Sequence, residues 1–159
     1  MAFDVSASAT HNIFFPSKLL ASMGGGHQFD ITLTAAHDNG TLVNRGTWNS
    51  LDNYNEASVA TENSFAGVIR QADETNDGQW IVEVTAATDL VILYNSPVSP
   101  YGESKFQNEA LFYNAVGDVV RGFSLAKGDL FSISTSAFTG TPVAGKALTY
   151  VSGKYVVGA

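Results

Sequence analysis

Residues 117–134, GDVVRGFSLAKGDLFSIS, are the stretch that decides the fold. In its first half Val119 and Phe123 would point to one face of an extended chain, and Val120 and Gly122 would point to the other. Alternation of this kind, in a run rich in β-branched and aromatic residues, predicts a β-strand. The apolar pattern resumes in LFSIS at 130–134, so the stretch predicts two strands in succession.

A turn separates these two strands. Gly128 can adopt the positive φ that a tight turn requires, and Asp129 can accept a hydrogen bond from its own nearby backbone. The simplest structure is a β-hairpin in which the aromatic residues of the two strands lie side by side. The stretch holds no nucleophile, metal ligand or phosphate-binding loop, so it favours a structural scaffold over an active site.

Composition favours a single β-rich domain and argues against several classes of partner. A length of 159 residues is typical of one domain, and without cysteine the chain has no disulfide framework and no cysteine zinc site. A net charge of −7 argues against nucleic acid, whose phosphates need Lys and Arg to neutralise them. No apolar run is long enough to span a bilayer, so we expect no membrane partner. The low charged fraction, 14%, suits a β-protein that buries surface against other proteins.

The first 26 residues differ from the rest and predict an N-terminal arm. A proline at 16 and a glycine at 24 frame a short helix over 16–23, and three glycines at 24–26 predict a flexible hinge. Residues 27–159 then form the β-domain. The apolar side chains of the arm must be buried, either by closing the end of the domain or by docking on a neighbouring subunit; they are Phe14, Phe15, Leu19 and Leu20.

From residue 27 onward the pattern is that of short strands separated by turns. Turn signals stand at 38–40, 73–78 and 152–153, and the run Leu90–Tyr94 is apolar throughout, as in a strand covered on both faces. The polar stretch 49–63 is long for a hairpin loop, so it is either functional or contains a short helix. With the polar loop 97–107 it is the expected attachment surface if the N-terminal arm does not carry the attachment. The predicted fold is mainly β: an antiparallel β-sandwich or β-barrel-like domain with an N-terminal arm and little helix.

No constellation of catalytic or metal-binding residues stands out. The three histidines lack metalloprotease spacing, and we expect them to be loop or surface residues. The loop that begins at Asp73 resembles a calcium loop, but Val84 stands where a bidentate Glu should be, so a hairpin turn explains it better. Glu103 and Glu109 are a conceivable carboxylate pair for glycoside hydrolysis. We expect no enzyme activity, no cofactor and no functional metal.

A set of tyrosines near polar loops offers a different interpretation. Aromatic rings in such positions can form a platform for sugars, although tyrosines in a core or an interface are more common. The tyrosines concerned are Tyr54, Tyr94, Tyr101 and Tyr113.

The chain also resembles the head decoration, or cement, proteins of tailed bacteriophages. The segments that carry this resemblance are FAGVI at 65–69, WIVEV at 80–84, GDVVR at 117–121 with KGD at 127–129, and FTGTPV at 138–143. They cover the last two-thirds of the chain and consist of strands and turns. The resemblance implies a β-rich protein, often a trimer, that binds the outside of the shell at junctions between capsomers and carries no catalytic residues.

Together these observations predict a virion structural protein that is made in the host cytoplasm and binds the capsid exterior. Its expected partners are the major capsid protein and further copies of itself. The predicted contact residues are Phe14, Phe15, Leu19, Leu20, Tyr54 and Tyr101. The alternative is a module of the virion that binds carbohydrate or another host-surface ligand, and a hydrolase with a carboxylate site ranks third.

Overall fold

The structure, a computed structural model, confirms a mainly β-fold. It describes the backbone of residues 2–3, 11–49, 54–59, 65–96 and 112–159, and the side chains of 11–44, 65–96 and 112–159. One 3₁₀ turn, Thr135–Ala137, interrupts the strands of these ranges. The strands are β1 Ala2–Phe3, β2 Phe14–Phe15, β3 Gln28–Thr32, β4 Leu42–Asn49, β5 Tyr54–Val59, β6 Phe65–Ala72, β7 Gln79–Ala87, β8 Leu90–Tyr94, β9 Phe112–Tyr113, β10 Val119–Ser124, β11 Leu130–Ser134, β12 Phe138–Thr139, β13 Ala147–Val151 and β14 Lys154–Val157.

Five of these strands close into a small barrel in the order β10-β3-β5-β4-β8. Every pairing around the barrel is antiparallel except β3 with β5. Among the residues whose side chains are described, those that point into its interior are aliphatic and have almost no solvent exposure, so they form a packed core. These side chains are Ile31, Leu33, Val43, Val91, Leu93 and Val120.

A seven-stranded sheet, ordered β12-β14-β13-β6-β7-β11-β2, packs against one wall of the barrel. The larger core lies between them, where Leu42, Ile92 and Phe123 of the barrel meet Val82 and Phe131 of the sheet. Strand β8 contributes to both cores because its alternate side chains point to opposite faces. Val91 and Leu93 fill the barrel while Leu90 and Ile92 enter the larger core, which confirms the prediction of a strand covered on both faces.

The hairpin predicted for residues 117–134 is wrong in its pairing. Strands β10 and β11 form at the predicted places, but β10 pairs with β3 and β8 in the barrel. Strand β11 pairs with β7 and β2 in the seven-stranded sheet. The turn at 126–129 therefore carries the chain from one sheet to the other. Each of the two strands pairs with strands that are distant in sequence, and this pairing buries its apolar side chains.

The predicted helix over residues 16–23 is also wrong. The segment forms consecutive turns, in which Leu19 N–H donates to Pro16 O and Met23 N–H donates to both Leu19 O and Leu20 O. Strand β2 just before it pairs with β11, and Phe14, Leu19 and Ala21 lie in the larger core. Residues 11–26 thus pack as part of the β-domain, and of the two predicted fates for the arm the structure shows closure of the domain for Phe14 and Leu19.

The other turn signals lie where the sequence placed them. The turn at 73–78 joins β6 to β7 in an antiparallel pair, and Ser152 with Gly153 joins β13 to β14, both with positive φ. Gly40 also has a positive φ, but the turn at 38–40 leads from β3 to a strand with which β3 does not pair. Within the polar stretch 49–63 the described residues 54–59 form strand β5 and not the alternative short helix.

Candidate functional site

The loop that follows β2 presents apolar side chains on a firmly anchored backbone. Leu19 is fully buried, whereas its neighbour Leu20 is 42% exposed and Met23 is 66% exposed. We refer to residues 17–24 as the apolar loop. Its inward residues pack in the larger core, so the outward pair is held in place by the fold.

Asp129 fixes the backbone of the apolar loop from a distant part of the chain. Its carboxylate accepts a 3.0 Å hydrogen bond from Leu20 N–H and a 2.8 Å bond from Ala126 N–H. The bond to Ala126 confirms the prediction that Asp129 caps its own turn. The bond to Leu20 joins residues that are 109 positions apart in the sequence. Asp129, predicted as a turn residue, therefore also holds the backbone that carries the exposed side chain of Leu20.

A groove of about 890 Å³ crosses the outer face of the seven-stranded sheet. Its floor is a row of register partners on four adjacent strands: Gln71 faces Ile81, Ile81 faces Ser132, and Ser132 faces Phe15. Strand periodicity places this row on the face opposite the core, because Val82, Phe131 and Phe14 beside it point inward. Phe15 and Ile81 are half-buried, so the floor is apolar and partly open to solvent.

The turn between β6 and β7 forms one wall of this groove, and residues 16–18 with Ser22 form the other. Asp73 ties the first wall to the floor, because its carboxylate accepts hydrogen bonds from Ser132 Oγ, Asn76 Nδ2 and Thr75 N–H at 2.8–3.0 Å. The bond from Asn76, with smaller contributions from Ser132 and Thr75, holds the pKa of Asp73 below its usual range. Two of these three donors, Asn76 and Thr75, belong to the turn itself, in agreement with the hairpin-turn interpretation of this loop.

The structure places the residues predicted to contact a partner in three groups: buried in the core, accessible at the surface, and without a described side chain. Phe14 and Leu19 are buried in the chain's own core, which removes them from any contact surface because no part of either side chain reaches solvent appreciably. Phe15 is half-buried at the groove floor and Leu20 is exposed on the apolar loop. Tyr54 begins β5, where only the backbone is described, and Tyr101 lies outside the described residues.

The tyrosine platform is not assembled from the described tyrosines. Tyr94 contacts the rings of Phe14 and Phe123, whereas Tyr113 stacks on His11 with ring centroids 5.0 Å apart. These different partners place the two rings in separate clusters. The carboxylate pair Glu103 and Glu109 lies outside the described residues.

The histidines occupy three different environments. His11 Nδ1 lies 2.6 Å from Asp38 Oδ1, and His27 is exposed. Burial lowers the pKa of His37 from its usual value, an effect that the charge of Asp38 partly opposes. Within the ranges whose side chains are described, no three His, Asp or Glu residues are grouped closely enough to hold a metal ion.

Sequence reasoning missed Met23 and Gln71. Met23 ends the predicted helix over 16–23, and that prediction gives no signal of the loop on which its side chain is exposed. Gln71 sits beside a β-bulge between β6 and β7, where the register shifts, and it enters the groove only through that register. The signal that the sequence offered for the groove was alternation. Phe15 and Ile81 each stand next to a residue that the pattern places in the core, so their own side chains should point outward.

In the described part of the chain, no helix has the length and apolarity needed to cross a membrane.

Comparisons with known proteins found no relative of this chain. The sequence matches no protein-family model, and neither the curated proteins nor the solved structures include a significant match.

Proposed function

We propose that this chain is a virion structural protein that binds the outside of a phage capsid and stabilises it without catalysing a reaction. The observation that carries the proposal is the exposed pair Leu20 and Met23 on the apolar loop. In this proposal the pair docks on the major capsid protein, and copies of the chain associate with one another, as a trimer in the form that the sequence resemblance implies.

The anchoring of the apolar loop supports a binding role. A loop whose backbone is already held by Asp129 and by the burial of Leu19 loses little conformational freedom when a partner covers it. Burying an exposed leucine or methionine contributes roughly 1.5–3 kcal/mol when burial is complete, and Leu20 is already partly covered. Several such loops on one oligomer would act together on a repeating shell, because linked sites bind with higher avidity.

The test is co-sedimentation of purified protein with heads of the encoding phage that lack it. We expect the protein to sediment with the heads and to raise the temperature at which they release their DNA. Replacing both Leu20 and Met23 by Ser should weaken binding tenfold or more, since about 1.4 kcal/mol corresponds to a factor of ten.

Val143→Ser is the matched control. Val143 is an apolar residue with similar exposure, 48%, but it lies in the loop before β13 and not in the apolar loop. Its substitution should leave head binding unchanged. Failure of the wild-type protein to bind heads would refute the proposed function, and equal loss of binding in the Val143 variant would refute the assignment to the apolar loop.

A further inference from the structure

We propose that the groove across β6, β7, β11 and β2 is a binding site for a neutral saccharide. This site is separate from the exposed pair Leu20 and Met23 and does not depend on the proposed capsid function. Its volume, about 890 Å³, lies within the range of small-molecule sites in proteins. Its lining combines an apolar floor with polar groups at the rim, which is the distribution that a ligand with both apolar and hydroxyl-bearing surfaces requires.

The floor supplies the apolar part of the site. Phe15 and Ile81 lie on either side of Ser132 in the same cross-strand row, and both are half-buried. A partly open aromatic ring at the floor of a groove can receive the C–H face of a pyranose, which is apolar although the sugar is polar overall. Leu130, two residues before Ser132 on the same strand, extends the apolar lining.

The rim supplies hydrogen-bonding groups, most of them uncharged. Gln71 is exposed at the end of the floor row, Thr75 is exposed on the wall formed by the turn between β6 and β7, and Ser17 is exposed on the opposite wall. Amide and hydroxyl groups both donate and accept, so they match sugar hydroxyls, which do the same. Asp73 shapes this wall, because its carboxylate is already bonded to Ser132, Asn76 and Thr75.

The charge of the groove selects against ionic ligands. Among the described residues of the lining Lys18 is the single cation, and the same lining holds the carboxylates of Asp73 and Glu74, so no cluster of positive charge is available for a phosphate or sulfate. The chain as a whole carries a charge of −7, which repels anions further. Of the two carboxylates among the described lining residues, Asp73 already accepts three hydrogen bonds, and Lys18 offsets one of the two negative charges, so the lining keeps little net charge for a cationic ligand. A neutral saccharide fits this balance better than either ion.

The experiment measures binding of defined oligosaccharides to the full chain by titration calorimetry and saturation-transfer NMR. The probes are maltohexaose, cellohexaose and chitohexaose as neutral ligands, with a heparin hexasaccharide and sialyllactose as anionic ones. We expect at least one neutral probe to bind, with saturation transfer strongest from its ring C–H protons. Binding of none of the neutral probes, or tighter binding of an anionic probe, would overturn the proposal.

Two groove variants and two controls locate the binding. Phe15→Leu keeps an apolar side chain but removes the ring, and Gln71→Ala removes an exposed amide whose loss leaves the core intact. Each should weaken binding about two- to tenfold. Asp77→Ala, at the exposed tip of the same turn, should bind normally, and so should the double variant Leu20→Ser and Met23→Ser. Unchanged affinity in both groove variants, with unchanged melting temperatures, would place the saccharide elsewhere and refute this site.

Discussion

The hydroxyl of Tyr155 donates a 2.8 Å hydrogen bond to the carbonyl oxygen of Gly40, joining the last strand to the turn before β4. The ring of Tyr150 lies 4.9 Å away in an edge arrangement, and its hydroxyl accepts from Leu42 N–H. Both tyrosines are about 1% exposed. This pair attaches the closing hairpin to the barrel, and its burial has a consequence at high pH.

Burial raises the pKa of Tyr150 to about 12 and raises that of Tyr155 well above its usual value of 10.0. The folded state therefore keeps protons that the unfolded state has released. Stability should be unaffected below pH 10 and should fall above it, by about 1.4 kcal/mol per pH unit for each tyrosine. Urea denaturation between about pH 9 and pH 12 measures this slope. Tyr150→Phe and Tyr155→Phe together should flatten it, and an unchanged slope would contradict the assignment.

Asp73 predicts a loss of stability in acid. Hydrogen bonds from Asn76, Ser132 and Thr75 lower its pKa below 3.8, so its contribution is complete above that pH and is lost as the pH falls through the lowered value. Because the carboxylate is partly exposed, we expect Asp73→Asn to cost at most about 1 kcal/mol at neutral pH. Urea denaturation near neutral pH and below pH 3.8 checks this. Asp77→Asn, on the same turn, is the control and should leave stability nearly unchanged.

Adjacent leucines of the apolar loop should respond very differently to truncation. Leu19→Ala should lower the free energy of unfolding by about 2–5 kcal/mol, because the buried side chain leaves a cavity in the larger core. Leu20→Ala should cost less than about 1 kcal/mol, because much of that side chain is already in water. Chemical denaturation distinguishes them. Deletion of residues 1–26 should likewise destabilise the domain, whereas a fully stable truncated protein would show that the segment is a dispensable arm.

Gly122 should not tolerate a side chain. A Cβ at this position would lie 2.6 Å from Ile31 Cδ1 and 3.3 Å from Val91 Cβ, inside the packed barrel. Gly122→Ala should therefore destabilise the protein by about 1–3 kcal/mol through overpacking. Val119→Ala, at an exposed position of the same strand, is the control. Equal melting temperatures for the two variants would mean that the barrel interior yields more readily than its packing implies.

The sequence by itself determined the local structure of this protein. Alternating polarity placed β10 and β11, and glycines and polar residues located the turns, because both signals depend on neighbouring residues alone. The all-apolar run of β8 even indicated burial on both faces. These predictions rest on side-chain direction and backbone sterics, which operate within a few residues.

Only the tertiary structure decided which strands pair and which apolar residues remain outside. The alternation in residues 117–134 is equally compatible with a hairpin and with two separate sheets, and burial of both parities of β8 requires the second. Leu19 and Leu20 are chemically the same, yet the core takes one and leaves the other exposed. The groove likewise depends on register across four strands, and register is set by packing and bulges between segments far apart in sequence.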